Sequence, residues 1–104
     1  MTAARDLLTL IDDSPRDDWP PRPREVRARI GDSGIEVWEA VRTFYEVDED
    51  WARFRDCYDW LTEDQLRAAL AYAEKHWDVI EPRIAENYAY VPAPFRDAIP
   101  ARWR

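Results

Sequence analysis

Glycine is almost missing from this chain: two residues in 104, both inside Gly31-Asp32-Ser33-Gly34. That excludes a glycine-rich loop of the kind that cradles phosphate. Cysteine and histidine each occur once. A lone cysteine cannot form an intrachain disulfide, which fits a reducing compartment. One cysteine and one histidine also leave zinc without a ligand set. Lysine occurs once as well, so fourteen of the fifteen basic residues are arginine, the better side chain for desolvated ion pairing. No apolar run approaches the length that spans a bilayer, and MTAARDLLTLIDD reads as too short and too acidic for a signal peptide. The expectation is a cytoplasmic protein with no membrane contact and no cofactor.

Aromatic residues, by contrast, are plentiful, with six Trp, five Tyr and three Phe. Each buries a large area, which compensates for the modest core of a single small domain. Charge is abundant and uneven. The net −7 divides into −1 over residues 1–34, −5 over 35–60, −3 over 61–91 and +2 over 92–104. An acidic body with a basic tail repels the phosphates that supply most non-specific affinity for DNA.

The most legible stretch is LTEDQLRAALAYAEKHWDVI, residues 61–80. Leu66, Ala69, Leu70, Ala73 and Trp77 recur on one face of a helix. Thr62 with Gln65 forms a capping box, and Glu63 and Asp64 sit where the helix dipole favours negative charge. Upstream, Ser33 with Glu36 offers another box, and Val37, Val41 and Phe44 line a helix face there. Asp48 caps a third helix with Trp51, Phe54 and Tyr58 inward, and Asp78 with Glu81 opens a fourth in which Pro82 falls in the first turn. Helices are therefore expected near 35–47, 49–59, 62–76 and 78–90. Leu66, Leu70, Trp77, Val41, Phe44 and Phe54 should be the most buried large residues. Cys57 should pack as a small apolar residue.

The ends are less regular. Ala4, Leu7, Leu8 and Ile11 fit a short amphipathic helix, although LLTLI also reads as a strand. SPRDDWPPRPR, residues 14–24, holds four of the eight prolines. It reads as an extended connector laid on the core with Trp19 as anchor, or as a polyproline ligand for a partner. EVRARI at 25–30 reads as an edge strand. From Pro92 on, three prolines keep VPAPFRDAIPARWR extended. The whole is a mainly α protein, a small helix-turn-helix-like bundle with at most a short N-terminal strand or hairpin. It divides into an N-terminal helix and connector (1–34), a helical core (35–91) and a Pro/Arg/aromatic tail (92–104).

LT-x-x-Q-x-x-AALAYA followed by D-x-I-x-x-x-IAEN resembles the C-terminal half of the family catalogued as domain of unknown function 433. That family is regarded as similar to VapB-type antitoxins. The likeness covers residues 61–87, while GIEVWEAVRTFYE at 34–46 resembles the family's first helix only loosely, with Glu36 where the family has proline. The resemblance implies a helix-turn-helix-like fold, a PIN-type ribonuclease toxin as partner, and operator DNA as a further ligand.

No catalytic constellation emerges, so the expectation is a non-enzymatic protein-binding module. Trp38, Arg42 and Tyr45 make an Arg-aromatic flank, the composition of binding hot spots. In the tail, Phe95 and Trp103 can anchor in apolar pockets, while Arg96, Arg102 and Arg104 can pair with the clustered carboxylates that the resemblance implies in a PIN-type nuclease. The alternative is a tail wrapped on its own domain. Trp38, Tyr45, Tyr72, Tyr90 and Trp103 exceed what short helices can hide, which points to a homodimer or a heterocomplex. Arg22, Arg24, Arg27 and Arg29 are the candidates for nucleic-acid contact in a DNA-binding regulator. Glu63 and Asp64 at the start of the would-be recognition helix oppose that reading, so weak or absent DNA binding is expected. A small self-associating domain is the remaining alternative.

Overall fold

The computed structural model describes residues 6–17 and 19–104. Ala4 and the start of the expected N-terminal helix lie outside that range. Among the described residues the fold is mainly helical: α1 is Val37–Glu46, α2 Trp51–Cys57, α3 Glu63–Lys75 and α4 Trp77–Tyr88. A two-strand antiparallel hairpin precedes them, β1 (Ile11–Asp12) on β2 (Arg29–Ile30), with Ile11 opposite Ile30 and Asp12 opposite Arg29. Short 3-10 turns occupy Leu7–Leu10, Arg24–Arg27, Ala93–Ala98 and Ala101–Trp103.

Residues 7–12 are neither one helix nor one strand. Asp6 caps the 3-10 turn by accepting from the Leu8 amide at 3.0 Å. The chain then extends so that the Leu10 carbonyl takes the Gly31 amide at 3.0 Å and Ile11 reaches the core. Backbone pairing with β2 replaces the intrahelical bonds that a longer helix would have supplied.

Pairing also moves the start of α1. Ser33 does not cap it; its hydroxyl accepts from the Ile35 amide at 3.1 Å. The Ile30 amide bonds the Ile35 carbonyl, and the Val37 amide bonds the Ala28 carbonyl at 2.8 Å. Residues 35 and 36 are thereby held extended, and the helix opens only at Val37, with Glu39 accepting from the Glu36 amide at 3.0 Å. The α2 cap differs from expectation as well: Asp50, not Asp48, accepts from the Arg53 amide at 3.1 Å. Asp48 and Glu49 instead take left-handed φ values of 60° and 58°, which lets the Glu49 amide close onto the Phe44 carbonyl at 2.9 Å. Glycine normally fills such positions after a helix, and here two acids do.

The Thr62–Gln65 box forms as read, with reciprocal bonds of 2.8 and 3.0 Å. A third box at Asp78–Glu81 does not form, because α4 starts one residue earlier, directly after His76 ends α3. Pro82 therefore lies inside α4 rather than in its first turn, on an exposed side where water can satisfy the freed Asp78 carbonyl.

Ile30, Val37, Val41, Phe54, Leu66, Ile80 and Ile84 are the fully buried side chains among those of large volume. Ala68, Ala69 and Ala73 present small side chains on the buried face of α3, across from α1. Of six expected core residues, Val41, Phe54 and Leu66 are buried, whereas Phe44, Leu70 and Trp77 are only half-buried. Trp38, Tyr72 and Trp103, read as surplus aromatics, are buried. Their polar tips explain part of this: the Trp38 indole donates to Glu36 at 2.8 Å, and the Tyr72 hydroxyl donates to Asp13 at 3.1 Å. Cys57 is exposed, contrary to expectation, on the outer side of a two-turn helix.

The connector does not lie down through Trp19, which is 90 % exposed. Every described residue from 14 to 24 is exposed, and the chain returns to the body where Val26 is buried and Arg22 pairs with Glu86 at 3.2 Å. The tail beyond Pro92 is not simply extended. Pro92 and Pro100 are extended and each precedes a 3-10 turn, a use of proline that its missing amide permits. The molecule measures 50 × 35 × 23 Å, with a radius of gyration of 14.3 Å.

Candidate binding groove

Helices α1 and α3 share a buried apolar seam, and alongside it the surface opens into a groove of about 430 Å³. Val41, Phe44 and Tyr45 come from α1, Leu70, Ala73 and Glu74 from α3, and Trp77 from the start of α4. The spacing explains the placement. Leu66, Ala69 and Ala73 are the buried stripe of α3, while Leu70, Glu74 and Trp77 run at i, i+4, i+7 beside it. The three residues expected in the core and found half-buried are the same ones that line this groove. Glu74 is its one charged side chain, exposed and with no ion-pair partner among the described residues.

One end of the groove is already occupied by the tail. Trp103 packs edge-on to Tyr45 (ring centroids 5.1 Å apart, planes at 89°) and stacks on Tyr88 at 5.9 Å. The Arg102 guanidinium lies 5.1 Å from the Tyr45 ring and 5.3 Å from that of Trp77, and pairs with Glu81 at 3.2 Å. Arg96 donates to the Tyr88 and Val91 carbonyls at 3.1 and 3.3 Å. Arg104 donates to the Ile99 and Asp97 carbonyls. Of the five tail residues named from sequence, only Phe95 is left both exposed and without such a bond, at 65 %. The tail docks in cis.

The Trp38–Arg42–Tyr45 flank divides. Trp38 is buried with two guanidiniums against its ring, Arg83 at 4.0 Å and Arg42 at 5.3 Å. Arg42 donates to Asn87 at 3.1 Å, and its Nε stands 3.9 Å from Glu46, an ion pair without a hydrogen bond. Only Tyr45 of the three faces the groove. From sequence this face reads as core, because a helix face left half-covered carries the same apolar period as one turned to the interior.

The four connector arginines are also engaged. Arg22 pairs with Glu86, Arg24 with Glu25 at 3.7 Å, Arg27 with Glu36 at 3.6 Å, and Arg29 with Asp12 at 2.7 Å. Asp12 in turn takes the Ser14 hydroxyl at 2.6 Å and the Ser14 amide. These bonds, with Arg29 behind them, hold its carboxyl down to about 2.

Perturbed acidities elsewhere have structural causes. Burial raises the phenols of Tyr72 and Tyr88 well above the ordinary tyrosine value, reinforced by Asp13 and Glu46 as their acceptors. Burial likewise raises Tyr58, whose hydroxyl meets Thr43 at 3.0 Å. The three hydroxyls have separate partners: Thr43 for Tyr58, Asp13 for Tyr72 and Glu46 for Tyr88. Among the described residues no three His, Cys, Asp or Glu side chains are grouped to hold a metal, and no helix is long and apolar enough to cross a membrane. No protein-family profile, curated protein or solved structure matches the chain.

Proposed function

We propose that the chain is a non-enzymatic protein-binding module, an antitoxin-like partner of a PIN-type ribonuclease. The observation that carries the binding half is the groove: Phe44, Leu70 and Trp77 are core-type residues on core-type spacing, left half-covered on a small acidic domain. Clefts lined mainly by apolar and aromatic side chains, with a single charged group at the edge, are common seats for a bound group. The choice of partner rests on the resemblance of residues 61–87, not on the groove itself.

The tail contributes differently from a free inhibitory arm. Its arginines are spent on the chain's own carbonyls, on Glu81 and on the aromatic rings, so the first encounter with a partner falls to the groove and to the exposed Phe95 and Tyr90. A DNA-regulator reading gains less support, since the connector arginines face carboxylates of their own domain. The test is co-expression of the full chain with the product of the adjacent gene. Co-purification in stoichiometric amount, with loss of that product's ribonuclease activity, is the expected result. An adjacent product that is no nuclease, or that purifies alone, ends this reading.

A further inference from the structure

The tail docks through a contact of definite composition. Trp103 supplies an aromatic anchor to Tyr45 and Tyr88, and Arg102 lays its guanidinium over Tyr45 and Trp77 with Glu81 as counter-ion. Ring, cation and carboxylate are the three parts of that contact. The cation gains from the ring faces as well as from the carboxylate.

The remaining length of the groove repeats two of those parts, ring and carboxylate. Tyr45 and Trp77 are common to both halves, and Val41, Phe44, Leu70 and Ala73 extend the apolar floor. Glu74 stands at the rim as Glu81 stands beside Arg102, but with no ion-pair partner among the described residues. The surrounding charge has the same sign. Residues 37–76 hold ten acids against five bases. Of those bases Arg42, Arg53, Arg55 and Arg67 are already paired with Glu46, Asp48 and Glu63. The acidic turn Asp48–Asp50 closes directly onto the Phe44 carbonyl, at the α1 end of the floor. An acidic segment entering here would meet repulsion from several directions, and an uncharged one would leave Glu74 partly desolvated and unpaired.

We infer that the groove takes a basic amphipathic segment of a partner protein, with an aliphatic or aromatic side chain seated among Val41, Phe44, Leu70 and Trp77 and an arginine or lysine on Glu74. The inference rests on the protein-binding reading and adds the partner's chemistry to it. An apolar side chain provides most of the affinity and the cation provides direction and register, the division found in other recognition grooves.

The experiment selects peptides from a random displayed library on the full chain and titrates the winners against three proteins: the wild type, Glu74→Lys and Leu70→Gln. Both positions are at least partly exposed, so the variants should fold, and circular dichroism checks that they do. Winners should combine an aromatic or aliphatic residue with nearby arginine or lysine. Leu70→Gln should weaken them about tenfold or more, as loss of a central anchor does. Glu74→Lys should weaken them about fivefold, and replacing the peptide's basic residue with glutamate should restore part of that loss. Selection of acidic or uncharged peptides, or of none, overturns the inference, and so does indifference to both substitutions. A chain dimer in sedimentation that Leu70→Gln disperses also overturns it, by making a second copy the occupant. If the adjacent gene's product still binds both variants with wild-type affinity, the groove assignment fails while the protein-binding reading stands.

Discussion

The indole of Trp103 lies over the ring of Tyr88 with planes 30° apart, and the Tyr88 hydroxyl donates to Glu46 of α1 at 2.6 Å. The last helix of the core is thus held between the first helix and the end of the chain. Removing residues 92–104 should lower the melting temperature substantially. Trp103→Ala alone should cost roughly 3 kcal/mol, the scale for emptying a large aromatic site. Chemical denaturation measures it, and an unmoved midpoint would mean the tail is not part of the fold. Because its Nε1 is buried without an acceptor, Trp103→Phe should lose much less than the alanine variant.

Leu66 and Leu70 are neighbours on α3 with different surroundings, 1 % exposed against half-buried in the groove wall. Leu66→Ala should cost about 2–5 kcal/mol. Leu70→Ala should cost only about 1 kcal/mol, in proportion to the smaller apolar area it removes from water. Equal losses would place Leu70 in the core after all.

Acid should act through Asp12. Its carboxyl is depressed to about 2 by Ser14 and Arg29, so the stabilisation it contributes is complete above the unfolded-state value of about 4 and disappears as pH falls from there toward 2. Asp12→Asn should flatten that limb of the stability–pH curve. In alkali the sign reverses. Tyr72 and Tyr88 are raised in the folded state, so their contribution is full below about 10 and is lost as pH climbs toward their folded values. Phenolate absorbance should show these two ionising only together with unfolding, and Tyr72→Phe or Tyr88→Phe should soften the alkaline transition.

Helix starts give a fourth check. Asp50→Ala and Thr62→Ala each remove a side-chain acceptor from a helix amide and should cost about 1 kcal/mol. Asp48 is no cap, and at its left-handed φ of 60° glycine is the unstrained replacement, so Asp48→Gly should lose little. An Asp48→Gly loss as large as that at Asp50 would shift the start of α2.

Duplex DNA should not be retarded by the isolated chain at physiological salt, because Arg22, Arg24, Arg27 and Arg29 are paired within the domain. A steeply salt-dependent shift would instead favour a regulator.

The helical order was readable wherever a local signal acts alone. Thr62 and Gln65 close their box within four residues of chain, and no distant group competes. At Ser33–Glu36 and at Asp48 a distant or neighbouring backbone partner overrides the local cap pattern: Ala28 and Ile30 hold residues 35–37, and Phe44 captures the Glu49 amide. Periodicity placed Leu70, Phe44 and Trp77 on the right faces but could not count how many elements would cover them. Trp103 was legible as an anchor, yet its site, made by Tyr45, Trp77 and Tyr88 from two helices, exists only after those helices have packed.

The exposed arm formed by residues 14–17 and 19–24 has a hydrodynamic consequence. A compact chain of about 100 residues has a radius of gyration near 13 Å, against 14.3 Å here. A lone copy should therefore elute from a sizing column slightly ahead of a compact 12.4 kDa standard, yet well behind a dimer. Shortening the arm should delay elution by more than its mass explains, whereas light scattering should return one chain's mass in both cases unless copies truly associate.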